Sequence, residues 1–196
     1  MKSALANAVG GSALMQENAA LLAEIDALRS KIVELEQLAD TDTLTPLANR
    51  RAFLRALERA IRLVGRHEMQ CALVYMDLDG LKRINDDYGH LAGDAALLHV
   101  SNRLVGAFRS TDLAARVAGD EFALILDQAS QDDARQRVEA LVARLSDDVV
   151  NLGSARVKLK LSWGLTMIRA DDTVDSAIGR ADAAMYMAKA DQRSER

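Results

Sequence analysis

Four carboxylates sit where they could share a cation. Asp77 and Asp79 close an apolar run over 71–78, and Asp120 and Glu121 stand at the turn between two further apolar runs, 113–117 and 121–126. Acids at strand ends and turns around one sheet can converge on a hard, oxygen-seeking ion such as magnesium. A metal held by two carboxylates, with nucleotide phosphates completing its shell, is a common device of phosphoryl and nucleotidyl transfer. Acids in turns are otherwise ordinary solvated turn formers, so the pairs carry this meaning only in company. No G-x-x-x-x-G-K-[ST] stretch exists, which excludes a P-loop nucleotide site.

The elements that must position these acids follow from hydrophobic period. Residues 49–64 read as a helix after the loop holding the only proline, Pro46, and 71–78 (CALVYMDL) reads as a buried strand. Residues 91–108 are helical by period, and 113–117 with 121–126 form a hairpin turning at Ala118-Gly119. A helix over 132–145, a strand-like stretch over 156–168 with Gly164 inside, and a helix over 174–190 complete the order. This predicts an α/β (α+β) domain over 40–196, with a central mixed sheet flanked by helices. Residues 1–13 form a tail. Between them, 14–39 carries heptads: Leu14, Leu21, Leu28 and Leu35 at one core position, Asn18, Ile25, Ile32 and Ala39 at the other. Ile at a with Leu at d favours a parallel two-stranded coiled coil, Asn18 can fix its register, and Glu24 with Arg29 makes a g-to-e pair. The competing reading is an amphipathic helix packed on its own domain.

Composition narrows the partners. The chain has 196 residues, 49% hydrophobic and 28% charged, with net charge −4, as a folded soluble protein has. The basic excess of a nucleic-acid or membrane surface is missing, and aromatics, at 4%, are too few for base-stacking platforms. No apolar run approaches the ~20 residues of a membrane span, and Asn7 and Gly10-Gly11 interrupt the start against a signal peptide. The lone Cys71 cannot form an internal disulfide and lies in an apolar run, so it reads as a buried thiol in a reducing compartment. Cytoplasm is the expected location.

Five ordered stretches resemble one family. The hairpin reads Arg116-Val117-Ala118-Gly119-Asp120-Glu121-Phe122, similar to the signature of the GGDEF family of diguanylate cyclases with alanine for the first glycine. Asp42 to Arg51 (DTLTPLANRR) resembles its opening motif, with Pro46 for a usual glycine. Asp77 to Asp86 (DLDGLKRIND), then Gly89-His90 and Gly93-Asp94, resembles its metal and guanine segment, with Leu81 for a common phenylalanine. Ser162-Trp163-Gly164 resembles its late strand, and Ala181 to Lys189 its closing helix.

The resemblance implies a nucleotide-cyclase-like fold and a reaction in which the 3′-hydroxyl of one GTP attacks the α-phosphorus of another. The product is cyclic di-GMP and pyrophosphate leaves. It implies Mg2+ or Mn2+, two ions per half-site, held by Asp77, Asp120, Glu121 and the carbonyl of Leu78. Asp120, Glu121 and Lys82 would serve catalysis. Asn85 and Asp94 would bind the guanine edge, whose N1 and N2 donors suit a carboxylate and an amide. Lys82, Lys189 and Arg193 would hold the β- and γ-phosphates, and Gly119 and His90 would lie by the nucleotide; for His90 a structural, loop-capping role is the alternative. Each subunit is implied to bind one GTP, so a homodimer must bring two half-sites together, and the parallel coil would raise their effective concentration. Arg109-Ser110-Thr111-Asp112 matches in spacing the family's R-x-x-D site for inhibition by product, against the alternative of a surface ion pair.

Ala118 is the chief departure. In a type I′ turn its position needs φ > 0, where alanine costs roughly 1 kcal/mol against glycine; at negative φ it costs nothing, although its methyl could crowd a phosphate. The retained acids favour an active enzyme. The alternative is a non-catalytic module that binds GTP or cyclic di-GMP and signals through its coil.

Overall fold

The computed structural model describes residues 21–29, 31, 40–67, 69–152 and 156–194. The chain divides into two units, Met1–Asp40 and Thr41–Arg196. In the first, 21–29 are helical, and Leu21, Ile25 and Leu28 share one face by their four-then-three spacing. All three are exposed, Leu28 to 57%. Arg29 pairs with Asp26 of its own helix at 3.7 Å. The other heptad positions, Leu14, Asn18, Ile32, Leu35 and Ala39, lie outside the described residues, as does the 1–13 tail.

The second unit begins with a loop and helix α1 (Arg50–His67). Asn49 caps α1, its Oδ1 accepting the Ala52 N–H at 3.0 Å, which satisfies one of the unpaired donors of the first turn. Then come β1 (Cys71–Leu78), α2 (Leu81–Tyr88), α3 (His90–Ala107), β2 (Leu113–Ala118) and β3 (Glu121–Asp127). Helix α4 (Gln131–Asp147), the two-residue strands β4 (Val150–Asn151) and β5 (Arg156–Val157), β6 (Leu161–Met167) and helix α5 (Val174–Ser194) follow. The main sheet has the order β2-β3-β1-β6. Its three ladders are antiparallel, and parallel pairing is limited among the described residues to a bridge between Ala48 and Ala115.

The apolar β1 is central and buried on both faces, which is why it reads as an unbroken hydrophobic run. Its even residues Ala72, Val74, Met76 and Leu78 join Leu97, Val100, Leu104 and Val138 of α3 and α4 in one core. Its odd residues Cys71, Leu73 and Tyr75 join Phe53 and Leu57 of α1 and Ala177, Ala181 and Met185 of α5 in the other. Asp77 shares the odd parity and therefore faces the α1/α5 side, and Asp79, just past the strand end, lies within reach of Lys189 of α5. Cys71 is buried; burial, helped by Asp127 and Asp112, pushes its thiol up to about 12, so it is an unreactive packing residue.

Helix α5 is fixed at both ends of its contact with the sheet. Thr173 and Ser176 exchange side-chain and backbone bonds at its start, a reciprocal cap. Arg180 binds Asp172 and donates to the Met167 carbonyl at 2.9 Å, tying α5 to the end of β6. Farther along, a methyl at Gly164 would stand 2.1 Å from the Met185 nitrogen and 2.4 Å from the Ala181 oxygen. Only glycine there lets the α5 backbone rest directly on β6.

Candidate active site

The register of the sheet builds the site. Asp77 on β1 lies opposite Glu121 on β3 and opposite Ser162 on β6. The Leu78 N–H donates to the Asp120 carbonyl at 3.0 Å, so the hairpin turn is tied to the end of β1. Asp79 has its own anchors: its N–H donates to the Lys160 carbonyl at 3.0 Å, and its Oδ2 accepts from the Ser162 hydroxyl at 2.9 Å. The four acids singled out by sequence therefore share one end of the sheet.

The turn is Gly119-Asp120, one residue later than expected, because an irregularity between Arg116 and Ala118 lengthens β2. Positive φ among the described residues occurs at Gly80, Gly89 and Gln128 only. Ala118, the last residue of β2, therefore sits in backbone that any residue adopts, and its substitution for glycine carries no conformational cost. A methyl at Gly119 would meet nothing within 4 Å, so the space beside the turn is open. Arg116 braces the turn from behind, donating from Nε and Nη2 to the Gly119 carbonyl at 3.0 and 2.8 Å and from Nη1 to Asp42 Oδ1 at 3.1 Å. Asp42 also accepts from the Thr45 hydroxyl and N–H. Burial opposes its charge, but the bonds from Thr45 and Arg116 outweigh burial and hold its carboxyl below the usual range. The opening motif thus acts as the turn's scaffold.

Electrostatically the site is anionic. Burial, then the charges of Asp120 and Asp77, push the Glu121 carboxyl above its ordinary value. Tyr75, beneath it on β1, donates its hydroxyl to Glu121 Oε2 at 3.4 Å, and burial with that carboxylate pushes the phenol up to about 12. Lys189 reaches across from α5, its ammonium bonded to Asp77 Oδ1 and 3.2 Å from Asp79 Oδ1. Burial works against that ammonium, but the two aspartates outweigh it and raise its pKa.

Among the described residues no three acids, histidines or cysteines form a ready-made metal cage. Magnesium does not require one, since it takes one or two carboxylates and fills its octahedron with water and phosphate oxygens. Asp77 facing Glu121, with Asp120 in the adjoining turn, is a set of carboxylate donors in which burial and then the neighbouring charges raise Glu121, and a divalent cation would offset that crowding of charge. The residues fit such an ion.

The remaining expected nucleotide contacts lie on α2, α3 and α5. Lys82 and His90 are exposed, and Asn85 and Asp94 are half-buried. A methyl at Gly93 would stand 2.0 Å from Asn85 Oδ1, so the Asn85 amide lies directly over Gly93, one residue before Asp94. Helix α2, not foreseen from periodicity, is what holds Lys82 and Asn85 one turn apart. Arg193 falls in the last turns of α5, its side chain outside those described. Tyr75, Ser162 and Arg116 contribute contacts without having been assigned roles beforehand, and Asp79, expected among the cation-sharing acids, is here bonded to Ser162 and close to Lys189. For Tyr75 a signal existed, the shared strand parity with Asp77.

Arg109 and Asp112 stand apart, at the far end of β2, roughly 20 Å of strand from the turn. The Asp112 carboxylate is fully buried and accepts the N–H groups of Arg109 at 3.0 Å and Asp127 at 3.1 Å as well as the Arg137 guanidinium, which also lies over the Phe108 ring. Asp112 shapes this loop, while Arg109 is exposed.

Comparison with known proteins agrees with this geometry. The profile of the family described as diguanylate cyclase, GGDEF domain, matches residues 39–195. The bifunctional diguanylate cyclase/cyclic di-GMP phosphodiesterase MucR of Pseudomonas aeruginosa is 40% identical over 157 residues, covering 80% of this chain and 23% of MucR. Among solved structures, diguanylate cyclase SiaD of Pseudomonas aeruginosa, in complex with its activator SiaC, superposes with a TM-score of 0.85 at 28% identity, covering 96% of this chain and 73% of SiaD. The coiled coil and GGDEF domain of DgcB from Caulobacter crescentus, in complex with c-di-GMP, gives 0.79 at 28% identity, covering 90% of this chain and 94% of that one. The chain spans about half the length of its curated relatives, or less.

Proposed function

The chain belongs to the GGDEF family of diguanylate cyclase domains, and from that premise we propose that it condenses two GTP molecules into cyclic di-GMP with release of pyrophosphate. The observation that carries this reading is the in-register meeting of Asp77 and Glu121 beside the Gly119-Asp120 turn. Asp77, Asp120, Glu121 and the Leu78 carbonyl would hold Mg2+ or Mn2+. A divalent cation there supplies a lowered pKa for the attacking 3′-hydroxyl and neutralises charge on the α-phosphate. The chain's own contribution is positioning in line. Asn85 and Asp94 take the guanine edge, Lys82, Lys189 and Arg193 take the outer phosphates, His90 borders the nucleotide, and the open space at Gly119 admits the phosphates against the turn.

One domain binds one GTP in this scheme, so two subunits must face each other. The exposed Leu21, Ile25 and Leu28 stripe fits a parallel coil that brings them together, and DgcB was solved as a coiled coil with its GGDEF domain. Product feedback would act through the exposed Arg109 on the loop that Asp112 shapes; c-di-GMP is bound in the DgcB structure. No helix among the described residues is long and apolar enough to cross a membrane, and a cytoplasmic setting fits the single buried thiol.

The test is incubation with GTP and Mg2+ followed by chromatography of the products. Cyclic di-GMP is expected from the wild type and none from Asp120→Ala, whose fold and oligomeric mass should be unchanged. Ala118→Gly should keep or raise turnover. An inert wild type with an active Ala118→Gly variant would favour a binding module, and turnover by Asp120→Ala would sink the metal assignment.

A further inference from the structure

Lys189 belongs by resemblance to the phosphate contacts, yet its ammonium lies on the carboxylates assigned to the cation. It bonds Asp77 Oδ1 and lies 3.2 Å from Asp79 Oδ1. These two residues are 112 positions apart, joined by the close seat of α5 on Gly164 and by the Arg180 brace. An ammonium hydrogen-bonded to Oδ1 takes up a lone pair with which Asp77 would hold a divalent cation and sets a positive charge beside that seat. A dication and an ammonium cannot both hold that oxygen without close repulsion of like charges. Lysine is also the cation best suited to move, a point charge on a flexible four-carbon stem. Its side chain is about a quarter exposed, so the stem has room to swing.

Resting on the metal reading above, we propose that Lys189 and the divalent cation compete for Asp77, so that cation binding releases the ammonium from Asp77 and Asp79 and makes it available to the phosphates of the incoming nucleotide. The ion pair thus acts as an internal counterion that exchanges for the metal. Lys189 weakens metal binding in the absence of nucleotide and strengthens binding of the metal–nucleotide complex. Asp79, braced by Ser162, is the second seat that keeps the ammonium near the site.

The experiment titrates the nucleotide-free full chain with Mn2+, following free Mn2+ by electron paramagnetic resonance. Lys189→Met should bind Mn2+ more tightly than wild type by roughly 5- to 10-fold, the scale of a partly buried ion pair. Lys160→Met removes an exposed positive charge from the residue whose backbone carbonyl accepts the Asp79 N–H, and should change Mn2+ affinity much less. In the wild type, the Lys189 ammonium 1H–15N signal should shift or broaden on saturation with Mg2+. With Mn2+ and a non-hydrolysable GTP analogue together, Lys189→Met should bind the complex more weakly than wild type. Equal Mn2+ affinity in wild type and Lys189→Met overturns the competition, as does an ammonium signal unmoved at saturating Mg2+. Asp77→Asn separates this from the parent reading: if it retains wild-type Mn2+ affinity, the metal assignment itself fails, whereas if it loses affinity and Lys189→Met gains none, only the competition fails.

Discussion

Gly93 offers the sharpest test of how guanine is read. The Asn85 amide occupies the space above the Gly93 α-carbon, and a methyl there would come within 2.0 Å of Oδ1, 2.9 Å of Cγ and 3.3 Å of Leu81 Cδ1. The Leu81 contact is one that a few tenths of an ångström relieve; the Asn85 contact is not, so in Gly93→Ala the amide must rotate away. If Asn85 reads guanine, that rotation removes one buried hydrogen-bonding partner, worth about 1–3 kcal/mol, or about 5- to 150-fold in kcat/KM for GTP. Alanine is the better helix former by about 1 kcal/mol, and 93 lies within α3, so the melting temperature should hold or rise while activity falls. Asn85→Ala should cost the same within that range, and the double variant no more than the worse single one, because both remove one interaction. The assay is pyrophosphate release against GTP concentration, beside thermal melting of each variant. A Gly93→Ala enzyme with wild-type kcat/KM, or losses that add fully in the double variant, would refute the reasoning.

Other expectations follow from the charges and the exposed stripe. Glu121 has a raised pKa, so its ionisation costs the folded state; that cost is absent below the ordinary 4.5 and grows as pH rises through the folded value. Glu121→Gln should therefore melt higher than wild type at neutral pH without metal, with the gap closing toward pH 4, and should lose turnover; a lower melting point at neutral pH counts against the anionic cluster. Asp172 is the opposite case: the Arg180 hydrogen bond, against the opposing effect of burial, lowers it from 3.8 to about 2, giving stability that is present above pH 3.8 and lost as pH falls toward 2. Asp172→Asn should cost about 1–2 kcal/mol in urea unfolding at pH 7 after allowance for solvent at Arg180, and an unchanged midpoint would discount the brace. Replacing Ile25 and Leu28 by glutamate should split the proposed dimer in sedimentation and make specific activity rise with protein concentration; a double variant still dimeric would remove the coil's role. Arg109→Ala should relieve inhibition by cyclic di-GMP in long reactions and abolish its calorimetric binding with GTP use intact, and equal inhibition would make the arginine a plain surface residue.

The fold was legible where apolar runs were long. The expected strand 71–78 matches β1 residue for residue, and the four expected helices of the domain and the two hairpin strands fall within a few residues of those observed. Helix α2 escaped because LKRINDDY buries one side chain, Ile84, and so carries no apolar period. Strands β4 and β5 are two residues long and leave no pattern. The strand-like stretch 156–168 is broken at 158–160 between β5 and β6. The order strand, helices, strand from β1 to β2 points to a parallel crossover, and the two do run the same way. What the linear order hides is that β3 enters between them, so every hydrogen-bonded ladder is antiparallel.

At the site, the candidate residues could be named from the motifs, but their contacts could not. Motif spacing picks out Asp77, Asp120, Glu121, Asn85 and Asp94, but nothing local links Lys189 to Asp77 or Ser162 to Asp79, because those bonds depend on how α5 and β6 lie on β1. The same holds for the one residue that breaks the signature. From sequence, Ala118 looked like a turn residue whose missing glycine could strain the hairpin. In the structure the lengthened β2 absorbs position 118 as a strand end, its side chain exposed and its φ ordinary, and moves the turn to Gly119-Asp120. The glycine that the tight turn keeps is Gly119, with open space beside it, and Arg116 holds its carbonyl from the far side. Any effect of Ala118 on turnover must then come from its methyl meeting bound phosphate, and not from the backbone of the hairpin.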